Sequence, residues 1–107
     1  MSFKKCETIL KNYNNFKMGL ELGNDEETKR LFSHLEEAID FLEDEEFIGI
    51  ITMHYFDKLT MERIAEIYDV SVVTVYAQKK KLVNKIASII LSDDVIREIL
   101  TDEKTAN

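Results

Sequence analysis

No proline interrupts this chain and only three glycines loosen it, so the backbone lacks nearly all the residues that end helices or turn hairpins. For 107 residues the simple solution is a set of amphipathic helices joined by short polar turns, and apolar residues do recur at intervals of three and four almost throughout. Phe3, Cys6, Leu10 and Tyr13, with Phe16 or Lys17 and then Leu20, predict a first helix to about Leu22. Asn24 is placed to cap a second, Asp25, Glu26 and Glu27 suit its positive end, and Leu31, Leu35, Ala38, Ile39 and Leu42 form its inner face. Asp44 is placed to cap a third that turns Phe47, Ile48, Ile51 and Tyr55 inward. Gly49 there marks a close helix crossing, at about 1 kcal/mol of helix propensity. Thr60 and Ser71 suit the caps of a fourth and a fifth helix, and the fifth keeps Val75, Leu82, Ile86 and Ile89 on one side as far as Leu91. Ser92, with Asp93 and Asp94, opens a short last helix carrying Val95, Ile96, Ile99 and Leu100.

The expected fold class is therefore all-α, a small helical domain. Its expected parts are an N-terminal helical arm over 1–43, acidic in its second half, a helical module over 44–91, and a short C-terminal helix with a frayed tail over 92–107. Hydrophobic residues at 45% and charged residues at 33% are ordinary for a globular chain. A single cysteine, Cys6, excludes an internal disulfide and suits a small buried hydrophobe. Residues 1–20 hold lysines without a continuous apolar run, and no stretch approaches a membrane span. A reducing, cytoplasmic setting with no membrane partner is the expectation.

Catalytic and metal-binding constellations are missing from the pattern. There is no glycine-rich phosphate loop, nucleophile elbow or zinc-ligand spacing, so neither an enzyme nor a cofactor is expected. Glu36, Glu37, Asp40, Glu43 and Asp44 share a helical face, but a carboxylate metal site wants partner helices with a Glu-x-x-His pair, and a solvated face explains them better. His34 and His54 stand alone and suit surface or boundary positions.

The formal charge of −7 argues against a polyanionic partner until it is sorted along the chain. Residues 21–48 hold eleven acids and two bases, whereas residues 71–91 hold four lysines and no acid. Charges farther off than about 8–10 Å are largely screened, so a phosphate near the second segment meets a local positive field.

That segment follows a pattern with a mechanical reason behind it. In "LTMERIAEIYDVSVVTVYAQKKKL" over 59–82, Ala65 is small enough for a second helix to cross closely. Ile64 and Ile67 face inward, Val70 fills a three-residue turn, Ser71 caps the second helix and Val75 locks it onto the first. With Val75, Leu82 and Ile86 inward, Val73, Ala77, Lys80 and Asn84 lie opposite the core, flanked by Thr74, Tyr76 and Lys81. In a major groove Val72, Val73 and Ala77 can touch thymine methyls, Tyr76 a phosphate or base edge, and the lysines, Lys79 among them, phosphates. The helix-terminal amides at Ser71 suit a phosphate as well. This helix has no arginine for the bidentate guanine contact, which points to A·T-rich sites. A lysine run is also what an ordinary solvated face looks like; caps, small crossing residue, turn length and lock together favour the helix-turn-helix.

"HYFDKLTMERIAEIYDVSVVTVYAQKKKLVNKI" resembles the fourth conserved region of bacterial sigma factors. It has the aromatic pair before the turn, the LT-x-x-x-IA-x-x-x-x-VS-x-x-TV core and the basic helix that follows. "DEEFIGIITMHYF" fits the helix leading into that motif, and the match covers roughly residues 44–90. Such modules are also found in ArpU-type and RinA-type phage late transcription regulators, whose N-terminal helical arm "ETILKNYNNFK" at 7–17 resembles. The resemblance implies that Ser71 to Lys81 is a recognition helix and that Thr60 and Met61 open the supporting helix near the DNA backbone. There are two departures from the pattern. Asp69 stands where glycine is usual, although Asp tolerates a left-handed backbone better than most residues, and Val72 and Val73 stand where polar or basic readers are usual.

The expected function is a sequence-specific, double-stranded-DNA-binding transcription regulator of a phage or mobile element. RNA polymerase and a second copy of the chain are further expected partners. The rival expectation is a protein-interaction module on the same scaffold, such as a polymerase-binding adaptor, an inhibitor or a DNA mimic, since paired exposed valines can mark a protein contact.

Overall fold

The structure is a computed structural model that describes residues 2–22 and 26–106; the side chains of Phe16, 19–22, 27–28 and 91–106 lie outside that description. Among the described residues every regular element is helical. The chain is a small all-α domain of α1 (Phe3–Lys11), α2 (Tyr13–Leu22), α3 (Glu26–Phe41), the short α4 (Gly49–Ile51) running into a π turn at Thr52–Phe56, α5 (Met61–Tyr68) and α6 (Val72–Ala106).

The single first helix expected to about Leu22 is two helices. Ser2 caps α1 by accepting from the Lys5 amide (3.2 Å), and α1 ends at Asn12, whose side-chain amide turns back to the Thr8 carbonyl (2.8 Å). That local bond competes with helix continuation, and tertiary contacts hold the break. Lys58 Nζ donates to the Lys11 carbonyl that the break leaves open (2.9 Å), and Asn14 donates to the Phe56 carbonyl (3.0 Å). Tyr13 stacks on Phe56 at 4.1 Å, tilts against Phe32 at 5.2 Å and donates to Glu36 (2.7 Å). Burial and then Glu36 push the Tyr13 hydroxyl up to about 12.

The cap expected at Asn24 lies outside the described residues. In α3 the buried residues are Phe32, Leu35 and Ala38, followed by Leu42; Leu31 and Ile39 pack at the margin. The third helix expected from Asp44 does not start there. Residues 42–48 form successive turns closed by three-residue bonds such as Glu45 N–H to Leu42 C=O (2.9 Å) and Ile48 N–H to Glu45 C=O (3.2 Å). Four consecutive acids, Glu43 to Glu46, repel one another in this stretch. The helix begins at Gly49 and widens at once into the π turn, marked by Asp57 N–H to Thr52 C=O (2.9 Å). Gly49 is a close approach, as its pattern implied: a Cβ there would lie 2.5 Å from the Tyr68 hydroxyl.

The helices expected to end near Leu91 and to restart at Ser92 are one helix. From Val72 to Ala106 there is neither proline nor glycine to stop it, and its 35 residues, about 52 Å at 1.5 Å per residue, set the 56 Å long axis of the molecule. Helix α6 is the spine. Leu82, Val83, Ile86, Ala87 and Ile90 meet Cys6, Ile9 and Leu10 of α1, Leu35 and Ala38 of α3, and Tyr55 of the π turn in one core. A second, smaller core holds Ile50, Met61, Ile64, Ala65 and Val75. Full burial of side chains such as Leu82 or Ile86 is worth about 1.5–3 kcal/mol each.

Candidate nucleic-acid interface

The turn between α5 and α6 is built almost wholly from local hydrogen bonds. Thr60 Oγ1 accepts from the Arg63 amide (3.1 Å) and starts α5. Asp69 ends it in the left-handed region, φ 55° and ψ 48°, where Val70 N–H reaches back to the Ala65 carbonyl (3.0 Å). Ser71 Oγ then accepts from the Thr74 amide (3.1 Å) and lies 2.9 Å from Thr74 Oγ1, starting α6. Val75, fully buried, docks on Ile64, Ala65 and Met61. Caps, turn, small crossing residue and lock fall where the spacing predicted them.

Ile67 is a correction. It was expected to face inward and is 47% exposed. The inward stripe of α5 is Met61, Ile64, Ala65 and the half-buried Tyr68, successive steps of three, one and three that turn position 67 to solvent.

The outer face of α6 carries Val73, Tyr76, Ala77, Lys80, Lys81 and Asn84, all exposed, with Val73 at 77% and Tyr76 at 50%. Thr60 and Ser71 are exposed at the two helix starts, and Thr74 is half-buried behind Ser71. Val72 is set apart from Val73: it is half-buried against the smaller core. Among the described residues Lys80 and Lys81 pair with no carboxylate. Beside this face an open groove runs between the end of α3 and α6, with Phe41, Leu42 and Ile89 as its apolar lining and Lys81, Asn84 and Lys85 on its basic side. Lys85 is held there by Glu45.

Lys79 sits apart from the other lysines. Its ammonium lies 3.3 Å from Glu7 Oε2 with its side chain only 15% exposed, between the rings of Tyr76 (5.6 Å) and Tyr55 (5.9 Å). Glu7 projects from α1, and the same carboxylate oxygen accepts from the Tyr55 hydroxyl (2.6 Å) while Oε1 faces Lys11 (3.5 Å). Burial pushes the Glu7 carboxyl up, but the Tyr55 hydrogen bond and the charges of Lys79 and Lys11 outweigh it and hold it below the usual carboxylate range. Burial, then the Glu7 carboxylate, push the Tyr55 hydroxyl strongly up. The signal for Lys79 was present in the spacing. It continues the buried stripe Val75, Leu82 or Val83, and Ile86 at steps of four and three, so it leaves the inner face of α6 toward α1. The partnership with Glu7 had no signal in the sequence.

Elsewhere, His54 is half-buried and its Nδ1–H donates to the Leu59 carbonyl (3.0 Å). Cys6 is fully enclosed in the main core, and desolvation raises its thiol to about 11. Among the described residues no three His, Cys, Asp or Glu side chains gather as metal ligands, and no helix is long and apolar enough to cross a membrane. No protein-family model matches the chain, and neither a curated protein nor a solved structure shows significant similarity to it.

Proposed function

We propose that this chain is a cytoplasmic DNA-binding regulator that lays the first turns of α6 in a major groove, in the manner of the sigma-like modules its sequence resembles. The observation that carries the proposal is the capped helix-turn-helix at 60–75 whose outgoing helix presents Tyr76, Ala77, Lys80 and Lys81 outward, on a segment with no acid from Ser71 to Leu91. Lys80 and Lys81 neutralise phosphates and fix the register, while Val73, Ala77 and Tyr76 face base edges. The acids of residues 21–48 lie outside this segment in sequence and disfavour non-specific wrapping of DNA; among the described residues Glu45 alone of these acids pairs with it, holding Lys85, which leaves affinity to Lys80 and Lys81. A phage or mobile-element origin, a contact with RNA polymerase and self-association belong to the same proposal.

The test is retardation of A·T-rich and random duplexes by purified protein over a range of salt. Binding through this face gives a linear fall of log affinity with log salt, and Lys80→Ala flattens that slope by about 0.9, one phosphate contact. Absence of retardation at low salt for every duplex tried would sink the DNA-binding reading.

One observation favours a second reading. Val73, Tyr76 and Ile67 are large apolar side chains exposed on the same helix-turn-helix, a composition that also suits a protein partner such as a polymerase subunit. In that case Val73→Asp abolishes capture of polymerase, and the salt slope with DNA is absent.

A further inference from the structure

Lys79 has already found an anion. Its ammonium leaves the inner margin of α6 and rests on Glu7 of α1 at 3.3 Å, near the rings of Tyr55 and Tyr76 and with little exposure to solvent. The Glu7 carboxylate is held for this by three donors from three elements: Tyr55 from the π turn, Lys11 from its own helix and Lys79 from α6. A carboxylate fixed by a tyrosine hydroxyl occupies the place that a phosphate oxygen would take on a recognition-helix lysine. We infer that Glu7 is an internal phosphate surrogate: it withholds Lys79 from nucleic acid, and so the N-terminal arm sets how many phosphates the reading helix neutralises.

The inference deepens the DNA-binding proposal and rests on it. Lys79, Lys80 and Lys81 are consecutive in sequence but perform different tasks. Lys80 and Lys81 are exposed, with Lys81 also acting on the Glu45 carboxylate, whereas Lys79 ties α6 to α1 through Glu7. Glu7 is thereby a positioning residue for the reading face and a limit on its non-specific affinity. Release of Glu7, by displacement of α1 or by loss of its charge, adds one cation to the face next to Tyr76.

The experiment is the salt dependence of binding to a 20-base-pair random duplex and to an A·T-rich duplex of the same length, with wild-type full chain, Glu7→Gln and Glu7→Gln/Lys79→Met. The expected result is a steeper slope for Glu7→Gln, by about 0.9 in log affinity per log salt, with tighter binding to the random duplex at low salt. Addition of Lys79→Met removes that increment. Equal slopes for wild type and Glu7→Gln, both folded by circular dichroism, overturn the inference while leaving DNA binding intact. Failure of the wild type to bind either duplex overturns both. A second measurement needs no variant: in side-chain ¹⁵Nζ spectra of the wild type, addition of duplex moves the Lys80 and Lys81 signals and leaves that of Lys79 in place. A Lys79 signal that moves with the other two refutes the surrogate.

Discussion

Replacement of Asp69 by glycine and by alanine distinguishes a left-handed turn from an uninterrupted helix by the sign of a stability difference. Asp69 lies at φ 55°, ψ 48° between α5 and α6, and among the described residues its carboxylate has neither an ion pair nor a hydrogen bond. Both replacements therefore remove the same charge and no contact, and their difference isolates the backbone. An alanine in the left-handed region costs roughly 1–2 kcal/mol. Glycine has no such steric cost but gives up about 0.4–1 kcal/mol through its freer unfolded state, so the glycine variant is the more stable by about 1 kcal/mol. Within a continuous helix the order reverses, with alanine ahead by about 1 kcal/mol. The two backbones thus differ by about 2 kcal/mol in this comparison. For a domain of this size 1 kcal/mol moves the midpoint by about 4–8 °C, so Asp69→Gly melts about 4–8 °C above Asp69→Ala in matched thermal scans followed by circular dichroism. Equal melting, or a more stable alanine variant, would mean that residues 61 to 90 run as one helix and that α6 is not set off from α5.

Three further outcomes follow from the packing. Gly49→Ala destabilises by about 1–3 kcal/mol despite its better helix propensity, because the new Cβ meets the Tyr68 hydroxyl at 2.5 Å; in a Tyr68→Phe background, where the next atoms lie at 3.6 Å, the same change is stabilising, as chemical denaturation will show. The Glu7 carboxyl titrates below its ordinary 4.5 in the folded protein, so its contribution is complete above that value and is lost as pH falls through the folded value; between pH 6 and pH 3 the wild type loses more stability than Glu7→Gln, and parallel pH curves would contradict the network around Glu7. Cys6, fully buried with its thiol raised from 9.0 to about 11, reacts with a disulfide reagent at pH 8 at least about 100-fold more slowly in native protein than in denaturant, since the thiolate is the attacking species.

The helix-turn-helix was legible because its parts are local. A Thr or Ser cap binds an amide three residues ahead, as at Thr60 and Ser71, and a left-handed Asp69 closes its turn on carbonyls three or four residues behind. Residue type and spacing carry that information directly. The inner face of α6 was legible for a similar reason, since Val75, Leu82 and Ile86 obey one period. The spacing also contained two facts that were read differently: Ile67 falls off the inward stripe of α5, and Lys79 falls on that of α6.

Other features depended on contacts between distant parts of the chain. The periodicity of residues 3–22 is continuous, yet the helix breaks at Asn12 because Lys58, Phe56 and Phe32 reward the bend. Ser92 and its two aspartates form a plausible helix start, yet α6 passes through them because no residue there forbids a helix and a side-chain cap is only an option. The sequence by itself determined an all-helical chain, the two caps, the left-handed turn and a lysine-bearing segment, 71–91, free of acid. The tertiary structure alone decided which of those lysines is free. Helical period places Lys79 on the inner face, but only the packing of α1 and the π turn against α6 brings Glu7 and Tyr55 to it, because an ion pair between distant segments depends on the position of whole helices and leaves no trace in local spacing.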